Sequence, residues 1–273
     1  STMGEPLIYP GFERLVDLCE ELGLSINLTT NGTFPSSEKH QNVEYWAERI
    51  VPLASDVKIS WNGASEAIQG KVMQGTSLSR HMEYAKRFIA VRDQLSGKHY
   101  CSMTLQMTFM QINLEEIPGM VRLAAELGFD RIKGHHLWTH FPEMKSQSLR
   151  KDSDIAEKWN RTVIECEDIV GQFFAETGKR LRLDNFFQLN LSDLSDIAPG
   201  GECPFLGREI WVDPSGRFNV CCAPDQQRKT LGEFGNISKQ SLQGIITGSE
   251  YSDRLENYRD KVLCKTCNMR RPS

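Results

Sequence analysis

The sequence predicts an α/β fold: a mostly parallel sheet, open or curled towards a barrel, followed by a small cysteine-rich domain that contains a β-hairpin. Three features carry that expectation. Amphipathic helical stripes alternate with short apolar strands from residue 12 to residue 177, polar clusters fall at the expected strand ends, and five of the eight cysteines lie between Cys203 and Cys267. Strand and helix alternating at this spacing imply right-handed βαβ units. In such sheets ligands sit at the carboxyl ends of the strands.

The elements follow in order. Phe12, Leu15, Val16, Cys19 and Leu22 form one helical stripe that Gly23 stops. Residues 26–30 read as a strand ending in the Asn31-Gly32 turn pair, residues 43–53 as an amphipathic helix, and residues 57–61 as a strand ending at Asn62-Gly63. A helix over 78–95, a strand over 102–112, a helix over 114–128, a strand over 131–138 and a long helix over 155–177 complete the series. After a boundary near residues 184–200, Ile210 to Val212 and Arg217 to Val220 flank Asp213-Pro214-Ser215-Gly216, a strand–turn–strand pattern. Phe205, Trp211 and Phe218 are expected in the small domain's core.

Composition removes whole classes of function. With 32 basic and 36 acidic side chains the formal net charge is -4, which gives no field for gripping nucleic acid or an acidic membrane. No apolar run approaches the roughly 18 residues of a spanning helix, and the first residues carry no basic stretch followed by an apolar one. A cytoplasmic location without nucleic-acid or membrane partners is therefore expected.

Cysteine placement is more informative. Cys19, Cys101 and Cys166 sit among apolar neighbours and read as buried packing. Cys203, twelve intervening residues to Gly216, four more to Cys221-Cys222, and later Cys264-Lys265-Thr266-Cys267 make a tetrathiolate set. Cys-x-x-Cys lets one loop offer two thiolates to one centre. Four thiolates suit zinc or an iron-sulfur cluster, and the spacing alone does not choose. Cys222 is the spare, either core packing or a substitute ligand. On the strand over 131–138, alternation puts His136 and Trp138 on one face and His135 on the other, so at least one histidine faces the sheet's interior side. His135, His136 and His140 do not form a helical His-x-x-His pair.

The runs Met3-Gly4-Glu5-Pro6-Leu7, Thr29-Thr30-Asn31-Gly32 and Val57-Lys58-Ile59-Ser60-Trp61-Asn62-Gly63, with the Cys203 to Cys267 pattern and Leu231-Gly232-Glu233-Phe234-Gly235-Asn236-Ile237 inside it, carry a likeness over nearly the whole chain. Together they resemble a radical S-adenosylmethionine enzyme with a C-terminal SPASM auxiliary-cluster domain. That resemblance implies a partial (β/α) barrel over residues 1–190 and an auxiliary iron-sulfur domain over 191–273. It implies that Gly4 and Glu5 receive the amino group of S-adenosylmethionine. Ser60 and Asn62 would face its ribose or carboxylate, and Thr30 and Asn31 would line the same rim. Asn62 stands where an aspartate is expected. Cys203, Cys221, Cys264 and Cys267 would hold an auxiliary 4Fe-4S cluster.

The implied activity is hydrogen-atom abstraction by a 5'-deoxyadenosyl radical. Its object would be a peptide, a protein or a small metabolite, with a reductant such as a flavodoxin or ferredoxin as partner. No catalytic residue is singled out. The family's Cys-x-x-x-Cys-x-x-Cys loop for the catalytic 4Fe-4S cluster is absent from the 273 residues. Two explanations compete, a piece of a longer protein that starts inside the barrel or a degenerate relative that never had the cluster. The first is the expectation, and the chain is expected to be inactive alone. The rival expectation is a non-catalytic α/β binding protein with a structural zinc site in the C-terminal domain.

Overall fold

In the computed structural model the described residues are 4–33, 43–137, 139, 141–195, 201–267 and 269–270. Trp138 and His140 lie outside them. The chain divides between Leu194 and Ser195 into two compact units.

The first unit is built on five parallel strands, β1 (Ile26–Thr30), β2 (Ala54–Ser60), β3 (Ser102–Phe109), β4 (Arg131–His136) and β5 (Arg182–Asp184), paired in chain order. The helices are α1 (Phe12–Glu21), α2 (Val43–Ile50), α3 (Glu66–Val72), α4 (Leu78–Gln94), α5 (Ile117–Leu127) and α6 (Ser153–Thr177). Each strand sends one set of alternate side chains to the helices. Leu28, Val57, Ile59, Met103, Leu105, Met107, Phe109 and Ile132 are buried there with Trp46, Phe88, Met120 and Trp159. Where α6 crosses, Gly134 leaves room for Phe109, whose ring would lie 1.7 Å from a Cβ at that position. The opposite set of side chains is polar on all five strands.

Several expected boundaries move. The strand expected over 102–112 stops at Phe109, because Asn113 caps the turn that follows: its Oδ1 accepts from Met110 N at 3.0 Å. α3 and β5 are additional to the sequence reading, each too short to show a period. Leu15 and Leu22, expected on the buried stripe of α1, are 46% and 61% exposed. They stand roughly 60–80° around the helix from the line of Phe12, Val16 and Cys19, and that narrower line is what the unit covers. Cys101 and Cys166 are buried as expected; burial pushes their thiols up to about 11 and about 12.

The second unit carries the hairpin β6 (Trp211–Val212) and β7 (Phe218–Asn219), antiparallel, with the short helices α7 (Asp225–Arg228), α8 (Leu242–Ile246), α9 (Ser249–Asn257) and α10 (Val262–Lys265). Its turn is fixed by Asp213. The Asp213 carbonyl accepts from Gly216 N at 2.9 Å, and its carboxylate accepts from Ser215 N, Ser215 Oγ and Arg217. Those bonds outweigh burial and hold the Asp213 carboxyl well below the usual range. Phe218, Val220, Leu231, Phe234, Ile245 and Tyr251 form the core. Phe218 is there as expected, whereas Trp211 and Phe205 are only half-buried and pair with each other, ring centroids 6.4 Å apart.

Candidate functional site

The carboxyl ends of β1 and β2 gather most of the residues singled out from the sequence. Glu5 is the hub. Its Oε1 accepts from Leu7 N at 3.1 Å and from Thr30 Oγ1 at 2.7 Å, and its Oε2 accepts from Asn31 N at 2.6 Å. A carboxylate offers about four acceptor sites, so one on Oε2 remains among the described residues. Burial pushes the Glu5 carboxyl above its ordinary value, against the effect of these bonds. Gly4 has φ +95, and a Cβ added to it would meet only open space, so what this position requires is the left-handed backbone. Thr30 is buried and also accepts from Gly32 N at 3.0 Å.

A side chain the sequence did not mark joins β1 to β2. His81 of α4 is buried, its Nδ1 pairs with Ser77 O at 3.1 Å, and its ring meets Trp61 edge-on at 5.5 Å. Its Nε2 faces the backbone of Ser60 and Asn31 without closing a hydrogen bond. Gly32 lies against it: a Cβ there would be 3.5 Å from Nε2. Burial lowers the His81 pKa and favours the neutral ring. No local sequence signal pointed to this residue.

The connection after β2 is tied down separately. Asn62 Oδ1 accepts from Thr108 N at 2.8 Å, and Asn62 N donates to Gln69 Oε1 at 2.9 Å. Asn113 Nδ2 donates to Asn62 O and Thr108 O, both at 3.0 Å. Glu116 accepts from Ala64 N at 2.7 Å and Ser65 N at 3.1 Å. Glu5, Thr30 and Asn31 are thus directly bonded and Ser60 adjoins them through His81. Asn62 stands one strand end further on, its carbonyl oxygen engaged between β2 and β3. Asn113 and Glu116 are further residues of this rim; only the polar run Gln111-Ile112-Asn113 hinted at the first.

The polar face of the sheet is arranged in rows. Lys58, Thr104, Arg131 and Arg182 are in register, and so are Ser60, Gln106, Lys133 and Asp184. Asp56 binds Lys58 at 2.9 Å, Thr104 at 2.7 Å and Arg131, which also reaches Asp184 at 3.4 Å. The side chains of Lys133 and His135 make no hydrogen bond or ion pair with the described residues. Burial, then the charges of Lys58 and Arg131, lowers the Lys133 ammonium; burial, then Lys133, lowers His135. His135 is therefore the histidine on the interior side. His136 lies among Phe109, Trp159 and Phe187, ring centroids 5.4, 5.0 and 5.2 Å away. Burial pushes it down to about 3.

In the second unit Cys203, Cys221, Cys264 and Cys267 are half-buried and near enough for their thiolates to repel one another. Cys222 lies within the same group, where its thiol pairs with Cys221 and pulls that thiol below its ordinary value. Cys203 Sγ accepts from Leu206 N and Cys221 Sγ from Ala223 N, each at 3.4 Å; the amides of Met269 and Arg270 serve Cys267. Backbone N–H groups aimed at sulfur are what cluster-bound thiolates require. No three His, Cys, Asp or Glu side chains among the described residues close tightly enough around a single metal ion. The chemistry of the donor set, thiolates with backbone amides directed at sulfur, suits an iron-sulfur cluster.

Comparison with known proteins gives the decisive observation. Residues 203–268 match the SPASM iron-sulfur cluster-binding domain. Over the whole chain the fold is that of Streptococcus suis SuiB bound to S-adenosylmethionine, with TM-score 0.60, 15% identity, 97% of this chain covered and 58% of that one. It is equally that of anSMEcpe bound to AdoMet and the Cp18Cys peptide, with TM-score 0.60, 15% identity and coverage of 97% and 71%. The tungsten-containing aldehyde ferredoxin oxidoreductase cofactor-modifying protein of Pyrococcus furiosus is 21% identical over 263 residues, 92% of this chain and 67% of that protein. The chain thus spans well under two thirds of SuiB. The α/β fold with a SPASM domain is the one the sequence resemblance implied. Among the described residues no helix is long and apolar enough to cross a membrane.

Proposed function

We propose that this chain takes part in radical S-adenosylmethionine chemistry on a peptide substrate. The observation that carries the reading is the buried Glu5 carboxylate bonded to Thr30 and Asn31 at the carboxyl ends of parallel strands, with one acceptor site to spare. When bound and reductively cleaved, S-adenosylmethionine supplies a 5'-deoxyadenosyl radical that abstracts hydrogen from substrate. Glu5 would hold its amino group through Oε2, and Ser60, with Asn31 and Asn62, would face the ribose and carboxylate. Neutral His81 would line the space between the two strand ends without adding charge. Cys203, Cys221, Cys264 and Cys267 would hold an auxiliary 4Fe-4S cluster, able to supply electron transfer or structural support, and a flavodoxin or ferredoxin would serve as reductant.

On the substrate side, Lys133 and His135 are the interior groups left unengaged, and they would take a carboxylate of the peptide. SuiB bound to its precursor peptide SuiA, at TM-score 0.60 and 16% identity, supports the peptide reading. The 273 residues contain no Cys-x-x-x-Cys-x-x-Cys, so this chain by itself should bind S-adenosylmethionine without releasing 5'-deoxyadenosine. Calorimetric titration with S-adenosylmethionine tests the rim. Saturable binding that weakens about tenfold in Ser60→Ala, the loss of about one hydrogen bond, supports it. Binding absent from the wild type, or indifferent to Ser60, overturns it.

A further inference from the structure

Two arginines in the second unit are buried in a way that their protein neighbours do not explain. Arg254 of α9 is 7% exposed and Arg228 of α7 is 8% exposed. Arg254 Nε and Nη1 and Arg228 Nε find no hydrogen-bond acceptor among the described residues. Arg254's carboxylate neighbour, Asp253, is 4.0 Å away on a side chain 59% exposed to water, where it does little to offset a buried charge. Arg228 pairs through Nη2 with Asp225, and its Nε remains without an acceptor. An unpaired guanidinium cannot shed its proton, so burying it is strongly unfavourable unless an anion lies beside it.

Cys221 and Cys264 pack against the core that holds Leu231, and Arg254 lies beside the next residue, Gly232. The charges of Arg254 and Arg228 are near enough to act on Cys264 and Cys221 respectively. Arg254 Nη2 is 3.8 Å from where a Cβ at Gly232 would be, an ordinary packing contact. Four cysteine thiolates around a 4Fe-4S core of charge about +2 leave the assembly at about −2. Arg254, and Arg228 to the extent that Asp225 leaves its charge uncompensated, would offset part of that charge.

We infer that Arg228 and Arg254 are positioning residues of the cysteine centre: buried counter-charges whose unpartnered N–H groups face the cluster and raise its reduction potential. This rests on the auxiliary-cluster reading above. Reduction adds a negative charge to the assembly, and a fixed cation in a low-dielectric site stabilises the reduced form more than the oxidised one. Removing either charge must therefore make the cluster harder to reduce.

The test is a spectroscopic redox titration of the anaerobically reconstituted 273-residue protein, comparing wild type with Arg254→Met and Arg228→Met at measured iron content. Met fills much of the same apolar space without charge. At a fixed potential near the wild-type midpoint, each variant should show a reduced-to-oxidised ratio at least tenfold lower, equivalent to about 59 mV for one electron. Arg254→Lys, which keeps the charge but not the planar fork, should fall between. Equal midpoints in wild type and both Met variants, with iron retained, overturn the inference. If Arg254→Met fails to assemble a centre, the lysine variant decides: reassembly with an intermediate potential supports the counter-charge, and failure equal to that of Met overturns it. Absence of iron-sulfur absorption in the wild type would instead remove the auxiliary-cluster reading itself, and this inference with it.

Discussion

Glu5→Gln is the most direct perturbation of the rim. Glutamine keeps an acceptor for Leu7 N and Thr30 Oγ1 but sets an NH2 group against Asn31 N–H, where Oε2 now accepts at 2.6 Å. A hydrogen bond to a charged group contributes about 1.5–3 kcal/mol, and a buried N–H left without an acceptor costs about 1–3 kcal/mol. These overlap, and the variant is relieved of burying a charge, the effect that raises the Glu5 carboxyl. The net expectation is a loss of about 1–3 kcal/mol. At roughly 2–4 °C per kcal/mol for a unit of this size, calorimetry should resolve it. The pH dependence carries a sign. With the folded value above 4.5, the stabilisation linked to Glu5 is complete below the unfolded pKa and declines as pH rises through the folded one. Glutamine has no such step, so the wild-type advantage should be largest in acid and shrink towards neutral pH. A gap that widens with pH, or no gap at any pH, would refute the placement of Glu5 as a buried carboxylate facing Asn31 N–H.

Three other substitutions probe the remaining layers. Asp56→Asn leaves Lys58 and Arg131 without their shared carboxylate, and, discounting for partial exposure, should cost about 2–4 kcal/mol in denaturant unfolding. Although burial pushes Asp56 up, Lys58 and Thr104 bring its carboxyl below 3.8, so that stabilisation should hold above this pH and vanish as pH falls through the lower folded value. Gly134→Ala drives a methyl into the Phe109 ring and should lower stability by about 3 kcal/mol or more, read as a lower melting temperature. Cys264→Ser should abolish the visible iron-sulfur absorption and loosen the second unit. Circular dichroism should still show the helices of the first unit.

The alternating fold was legible because each long element carries its own period: Leu28, Val57, Ile59 and the four apolar residues of β3 alternate strictly with polar ones, and that alternation holds wherever helices cover one face only. What was not legible is short or relational. β5 has three residues and shows no period; its place is set by pairing with Arg131 to Lys133. Leu15 and Leu22 look as buried as Val16 in the sequence, since periodicity says which residues share a side of a helix but not how wide a strip its neighbour covers.

The site divides the same way. Glu5, Thr30 and Asn31 were readable because each sits at a turn, where a local motif and a strand end coincide. His81 was invisible because it enters from α4, aligned with Ser60 and Asn31 only after β1 and β2 have paired. Arg228 and Arg254 were invisible for another reason: on short helices rich in charged residues they look like solvated surface, and nothing in a one-dimensional pattern separates a surface arginine from one that is more than nine-tenths buried. Their burial becomes intelligible only through charge. A core of six apolar side chains is too small to enclose two guanidinium groups on its own account, so the unit must owe part of its stability to the anionic centre its cysteines would form. Loss of the cluster should therefore destabilise this unit beyond the loss of four bonds, because it also leaves Arg254 buried with only the exposed Asp253 near it and Arg228 with Asp225 alone.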